Sequence, residues 1–202
     1  MKKNYLYITN PNDLNFSFLE NESQNLIVLL TDKAEENLKY SFNFPNKNAE
    51  SEILFLIIRK NPIPLNIKID INHKINNCKS DLKFKTILFK EAKVIFTGNI
   101  KVEENLKEIS SSMVHKNLLL SEMAKVISKP NLEINSNGVE INHGFATGAF
   151  PKELLYYLES RGLSEKKAKK ALIKAFIFNE INAIKDKPLR KQIKKETLCL
   201  IP

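Results

Sequence analysis

Residues 65–71 read Leu65-Asn66-Ile67-Lys68-Ile69-Asp70-Ile71, and residues 94–102 read Val94-Ile95-Phe96-Thr97-Gly98-Asn99-Ile100-Lys101-Val102. Leu65, Ile67, Ile69 and Ile71 recur every second residue, as do Val94, Phe96, Gly98, Ile100 and Val102. A period of two sends one row of side chains inward and the alternate row outward, which is the pattern of a strand with one buried face. Leu82, Phe84 and Thr86 repeat it, and Ile53 to Ile58 form a continuous apolar run closed by Arg59, Lys60, Asn61 and the prolines Pro62 and Pro64. Upstream, the apolar pieces Tyr5 to Ile8, Leu26 to Leu30 and Tyr40, Phe42 and Phe44 are too short for helices and fit strands.

Beyond Asn117 come further short strands, Leu118 to Leu120, Leu132 with Ile134 and Val139 with Ile141, joined by turns at Lys129-Pro130 and Asn137-Gly138. No fixed repeat length emerges across these pieces. Two architectures satisfy the pattern: a β-sandwich or barrel, and a β-helix with irregular corners.

The periodicity changes at Phe150-Pro151. Pro151 suits a first helical turn and Glu153 its positive end. Leu154, Leu155, Tyr157 and Leu158 predict a short helix ending near Arg161-Gly162. Ser164 then caps a longer helix carrying Ala168, Ala171, Leu172, Ala175, Phe176, Ile181 and Ile184, ended by Lys185 to Pro188. The expected organisation is a β core over residues 1–148 and a helical module with its tail over 151–202.

The 202 residues allow one substantial core plus an appendage, and 43% apolar content argues against general disorder. The net charge of +9 permits a nucleic acid, an anionic surface or an acidic protein as partner. That charge is local: residues 165–196 hold eleven Lys or Arg and four Asp or Glu. Lys166, Lys167, Lys169, Lys170 and Lys174 offer a phosphate-binding patch on one reading and the solvated face of an amphipathic helix on the commoner one. Phe176 and Phe178 belong at or beside the apolar stripe, which leaves little aromatic interleaving for bases.

Cys78 and Cys199 form neither a CxxC motif nor a disulfide framework, and reduced thiols in the cytoplasm are the expectation. The start MKKNYLYITNPNDLNF meets Asn10 to Asp13 before any adequate apolar run, unlike a signal peptide. No stretch approaches about eighteen uncharged apolar residues, so no membrane span is expected. His73, His115 and His143 stand outside any HExxH, paired-cysteine zinc spacing or Gly-rich phosphate loop, so the chain is read as a non-enzyme. The sharpest single position is His143, in the loop-like stretch Asn142 to Gly148. A neutral imidazole there can bind iron or zinc, and the plainer reading is a histidine bonding the backbone at a corner.

One ordered set of residues carries a family resemblance. Asn117-Leu118-Leu119-Leu120-Ser121-Glu122, Ala124, Lys129-Pro130-Asn131-Leu132-Glu133-Ile134, Val139, His143-Gly144, Thr147 and Gly148 resemble the C-terminal core signature of the SufB/SufD proteins. The likeness continues through Leu155 to Leu158, Ser160 to Leu163, Ala168 and Ala175-Phe176, and covers about residues 94–182. It implies a right-handed parallel β-helix followed by a small helical domain. It further implies pairing through the β-helix edge, with itself or a SufB-like protomer, and docking of the ABC-type ATPase SufC on the C-terminal helices during iron–sulfur cluster assembly. On that basis Leu155, Leu158, Leu172 and Phe176 are the docking anchors, Gly144 and Gly148 form a structural corner, and His143 matches the interfacial histidine of the SufD-type His-Gly motif. Ala124 stands where SufB-type chains have an important cysteine, and Ile141 where SufD-like chains commonly have another. No stably bound cofactor is therefore expected, only a transient iron–sulfur cluster or iron in a complex.

Overall fold

The computed structural model describes residues 4–21 and 23–202, which form two compact units divided after Thr147. The first contains eleven strands: β1 (Asn4–Thr9), β2 (Leu14–Ser17), β3 (Ser23–Leu30), β4 (Asn37–Phe44), β5 (Glu50–Arg59), β6 (Leu65–His73), β7 (Lys79–Leu88), β8 (Lys93–Val102), β9 (Ser110–Leu119), β10 (Lys125–Ile134) and β11 (Glu140–Gly148). Odd-numbered strands build one sheet in the order β1-β3-β5-β7-β9-β11, and even-numbered strands the other, β10-β8-β6-β4-β2. The ladders from β1 to β9 in the first sheet and from β2 to β10 in the second are parallel. This is a two-sheet parallel β-solenoid. A sandwich of antiparallel hairpins, the alternative left open by the strand pattern, is excluded by that pairing.

Coil length explains why no repeat is visible in the sequence. The laterally paired residues Leu26, Ile53, Leu82 and Met113 are separated by 27, 29 and 31 positions. The differences are absorbed at corners, while one corner keeps constant geometry. Asn21, Asn48, Asn77, Glu108 and Gly138, each two residues before an odd-numbered strand, have φ of 56°, 58°, 61°, 58° and 73°. Asparagine and glycine tolerate this left-handed region best, so the corner recurs through residue chemistry rather than spacing.

The core lies between the sheets. Val28, Phe55, Phe84 and His115 occupy successive rungs of one inward column. The Phe55 and Phe84 rings stack at 4.8 Å, and Phe84 and His115 at 4.1 Å. Burying each large side chain contributes roughly 1.5–3 kcal/mol. On the outward face of the smaller sheet, amides bond from rung to rung: Asn72 Nδ2 donates to Asn43 Oδ1 and Asn131 Nδ2 to Asn99 Oδ1, both at 2.9 Å.

The second unit contains α1 (Lys152–Ser160), α2 (Glu165–Ala183) and α3 (Lys187–Leu200), with α2 in contact with both others. Pro151 precedes α1 and Gly162, at φ 88°, follows it. The sequence reading stopped at two helices and left the residues after Pro188 as a tail. They form α3 instead: Pro188 sits in its first turn, and the Asp186 side chain accepts the Leu189 N–H at 2.9 Å. A proline that ends one helix is equally suited to open the next, because a first-turn N–H has no helical partner. No helix among the described residues is long and apolar enough to cross a membrane.

Candidate functional site

The last coil differs from those before it. Strands β4, β6 and β8 bury alternate residues, and β5 and β7 bury their last five residues in an unbroken run, whereas β10 and β11 contain no buried residue. Ile127, Leu132, Ile134 and Phe145 are large apolar side chains left exposed there. Lys129-Pro130, expected in a turn, lies inside β10, with Pro130 opposite Gly98. Asn137-Gly138 is the true corner, carried by the positive φ of Gly138.

His143 lies within β11 and not in a loop. Three contacts set the register of this strand. The Glu140 N–H donates to the Ile109 carbonyl at 2.8 Å, Asn117 Nδ2 donates to Thr147 Oγ1 at 3.0 Å, and the Phe145 ring lies 6.2 Å from that of His115. Thr147 and Phe145 thus extend the inward columns, and alternation puts His143 and Ile141 in the same row. His143 is solvent-exposed because no further rung covers it. Gly144 is mid-strand and Gly148 ends β11; neither has a positive φ. A Cβ at Gly144 would meet only the Val114 methyls, at 3.8 and 3.9 Å.

The other two histidines are core groups. His73 stacks on Phe44 at 4.6 Å, and its Nε2 is 3.0 Å from Ser80 Oγ, itself 2.7 Å from Ser111 Oγ. Burial pushes the His73 imidazole down to about 4 and that of His115 to about 3. Burial also raises the Cys78 thiol, which donates to the Asn46 carbonyl at 3.3 Å; Cys199 is exposed on α3. Among the described residues, no three His, Cys, Asp or Glu side chains gather as a metal centre.

In the helical unit, Leu155 and Leu158 on α1 and Leu172 and Phe176 on α2 are all half-buried. Tyr156 and Tyr157 are more exposed, at 74% and 53%, and the Arg161 guanidinium lies 5.3 Å from the Tyr157 ring centre. The fully buried stripe of α2 is Ala168, Ile173, Ile177 and Ile181. Lys166, Lys167 and Lys169 are exposed, with Lys169 paired to Glu165. The sequence assigns Tyr157 to the face of the first helix with Leu154, Leu155 and Leu158, and its exposure and that of Tyr156 are visible only in the fold.

Residues 14–176 match the model of the SUF system FeS cluster assembly SufBD core domain. The iron–sulfur cluster assembly protein SufD of Escherichia coli is 32% identical over 123 residues, which is 61% of this chain and 29% of that protein. A SufBD family protein of Mycobacterium leprae is 27% identical over 158 residues, 74% of this chain and 40% of the relative. One from Mycobacterium tuberculosis is 30% identical over 148 residues, 69% and 37%. The matched segment thus spans well under half the length of each of these relatives.

Proposed function

The chain belongs to the SufB/SufD family as a SufD-like member, and from that premise we propose that it is a non-catalytic component of an iron–sulfur cluster assembly complex of the Suf type. In this role it pairs through the terminal coil of its β core and docks an ABC-type ATPase through its C-terminal helices. The observation that carries the reading is the open last coil, where Ile127, Leu132, Ile134 and Phe145 remain exposed on edge strands. Unpaired strand edges with apolar side chains are templates for another chain. Iron or a nascent cluster is then the cargo of the complex, and His143 is the exposed donor at the pairing end.

The half-buried Leu155, Leu158, Leu172 and Phe176, beside the exposed tyrosines, support ATPase docking. Such an interface depends on apolar anchors, with nearby lysines governing encounter rate and salt response. Binding of the full chain to the cognate ABC ATPase, and to generic DNA and RNA, tests the assignment at two salt concentrations. Alanine at the four anchors is expected to abolish ATPase binding, while alanine at Lys166, Lys167, Lys169 and Lys170 slows association. Tight nucleic-acid binding that vanishes with those lysines and falls steeply with salt, without ATPase binding, would replace this reading with a nucleic-acid module.

A further inference from the structure

We propose that Asn137-Gly138, the corner that leads into β11, is a site of spontaneous deamidation, at which the Gly138 backbone nitrogen attacks the Asn137 side-chain amide. It is the only Asn-Gly pair in the chain.

The place of this corner in the solenoid sets its reactivity. In the left-handed corner column, backbone N–H groups reach toward the coil that follows: Asn21 N–H donates to the Lys47 carbonyl at 3.4 Å and Asn77 N–H to the Lys107 carbonyl at 3.2 Å. Gly138 holds the same position on the last coil, at φ 73°, where no further corner among the described residues supplies a carbonyl. Neither its N–H nor the Asn137 side chain has a hydrogen-bond partner among the described residues.

The chain is held on either side of the pair. Ser136 Oγ accepts the Leu106 N–H at 2.8 Å and donates to the Glu103 carbonyl, and the Glu140 N–H donates to the Ile109 carbonyl at 2.8 Å. Asn137 and Gly138 are exposed, and nothing lies within 4 Å of where a Gly138 Cβ would stand. The attacking nitrogen is therefore unbonded, uncrowded and open to water. Asn48 and Asn77, at the corners of earlier coils, lack this setting, because each is followed by a buried residue with a Cβ, Ala49 and Cys78.

The step needs water and no oxidant or reductant. The Gly138 nitrogen gives up its proton and bonds to Asn137 Cγ, the Cγ–Nδ2 bond breaks, and ammonia leaves a cyclic imide. Water then adds to either imide carbonyl. Addition at Cγ opens the ring to aspartate on the original main chain; addition at the α-carbonyl leaves the main chain running through Cβ and Cγ, an isoaspartyl link. Counting back from Glu140 and Ser110 places Asn137 one rung from the exposed Lys107, a favourable neighbour for the new carboxylate. The isoaspartyl link instead adds one main-chain atom to a corner fixed at Ser136 and Glu140, and so displaces the start of β11.

Incubating the full chain in mildly alkaline buffer at physiological temperature, folded and in guanidinium, tests this by tandem mass spectrometry of digests made at acid pH. In the folded chain the amide-to-acid mass gain is expected at Asn137 before any other asparagine. Its rate is expected within about threefold of the unfolded rate, because an unbonded N–H needs no opening step. Both products are expected, the isoaspartyl one read by enzymatic methylation with an isoaspartyl methyltransferase. Asn137→Gln, whose longer side chain closes a ring far more slowly, is expected to remove this first gain with circular dichroism unchanged. A folded-state rate below that range would overturn the proposal, as would a first mass gain at another asparagine or one that persists in Asn137→Gln.

Discussion

The His115 ring lies nearly parallel to that of Phe84, with centroids 4.1 Å apart and planes inclined by 11°. An imidazole takes a phenyl position in the column, and its buried Nε2 has no hydrogen-bond partner among the described residues. The neutral ring is tolerated there; the cation is not, with His115 held at about 3 and His73 at about 4.

These shifts set a pH dependence. Against an unfolded value near 6.5, the unfolded chain binds protons that the folded chain refuses. Stability is fully present above about pH 6.5 and falls as pH drops toward about 4, by up to about 1.4 kcal/mol per pH unit for each histidine. Urea titrations of the wild type and His115→Phe across that range should show a shallower slope in the variant. Identical slopes would mean that the ring is charged or wet in the fold.

Gly98 faces a crowded interior. A Cβ there would stand 2.5 Å from Phe96 Cε1 and 2.7 Å from Met113 Sδ. Gly98→Ala is therefore expected to cost about 1–3 kcal/mol through overpacking, read as a lower Tm. An unchanged Tm would show that the Phe96 ring and Met113 yield freely.

Glu108 is the one acidic residue in a corner column otherwise made of asparagine and glycine, at φ 58°. Its neighbours in that column indicate the remedy. Glu108→Asn should raise stability by about 0.5–1 kcal/mol by easing left-handed strain, measurable in thermal melts.

Asp186 caps α3 through the Leu189 N–H. Asp186→Ala should lower stability by about 0.5–2 kcal/mol and reduce helical signal on warming, whereas Asp186→Ser should restore most of it.

Much of this was legible beforehand. Leu65 to Ile71 and Val94 to Val102 announce strands because alternation is a local property, and all members of their inward rows except Gly98 are buried hydrophobic core residues. The Asn117 to Gly148 combination likewise carried the SufB/SufD family membership, since it is an ordered set of residue identities. Gly98 itself reads from sequence as a gap in an apolar row. Only the fold shows that Phe96 and Met113 fill the space.

Sequence could not place His143 or Pro130, for one physical reason. A Gly-Phe-Ala-Thr-Gly run and a Lys-Pro pair are poor strand formers locally, yet both are strands here because the rung beneath supplies a ladder. Alternation and residue identity are written along the chain, and they determined β1, β3 to β8, the first two helices and the family. Parallel pairing joins residues about thirty positions apart across corners of unequal length, and it has no linear signature. The solenoid, the direction of each free N–H on its last coil and the neutral burial of His73 and His115 were therefore decided only by the tertiary structure.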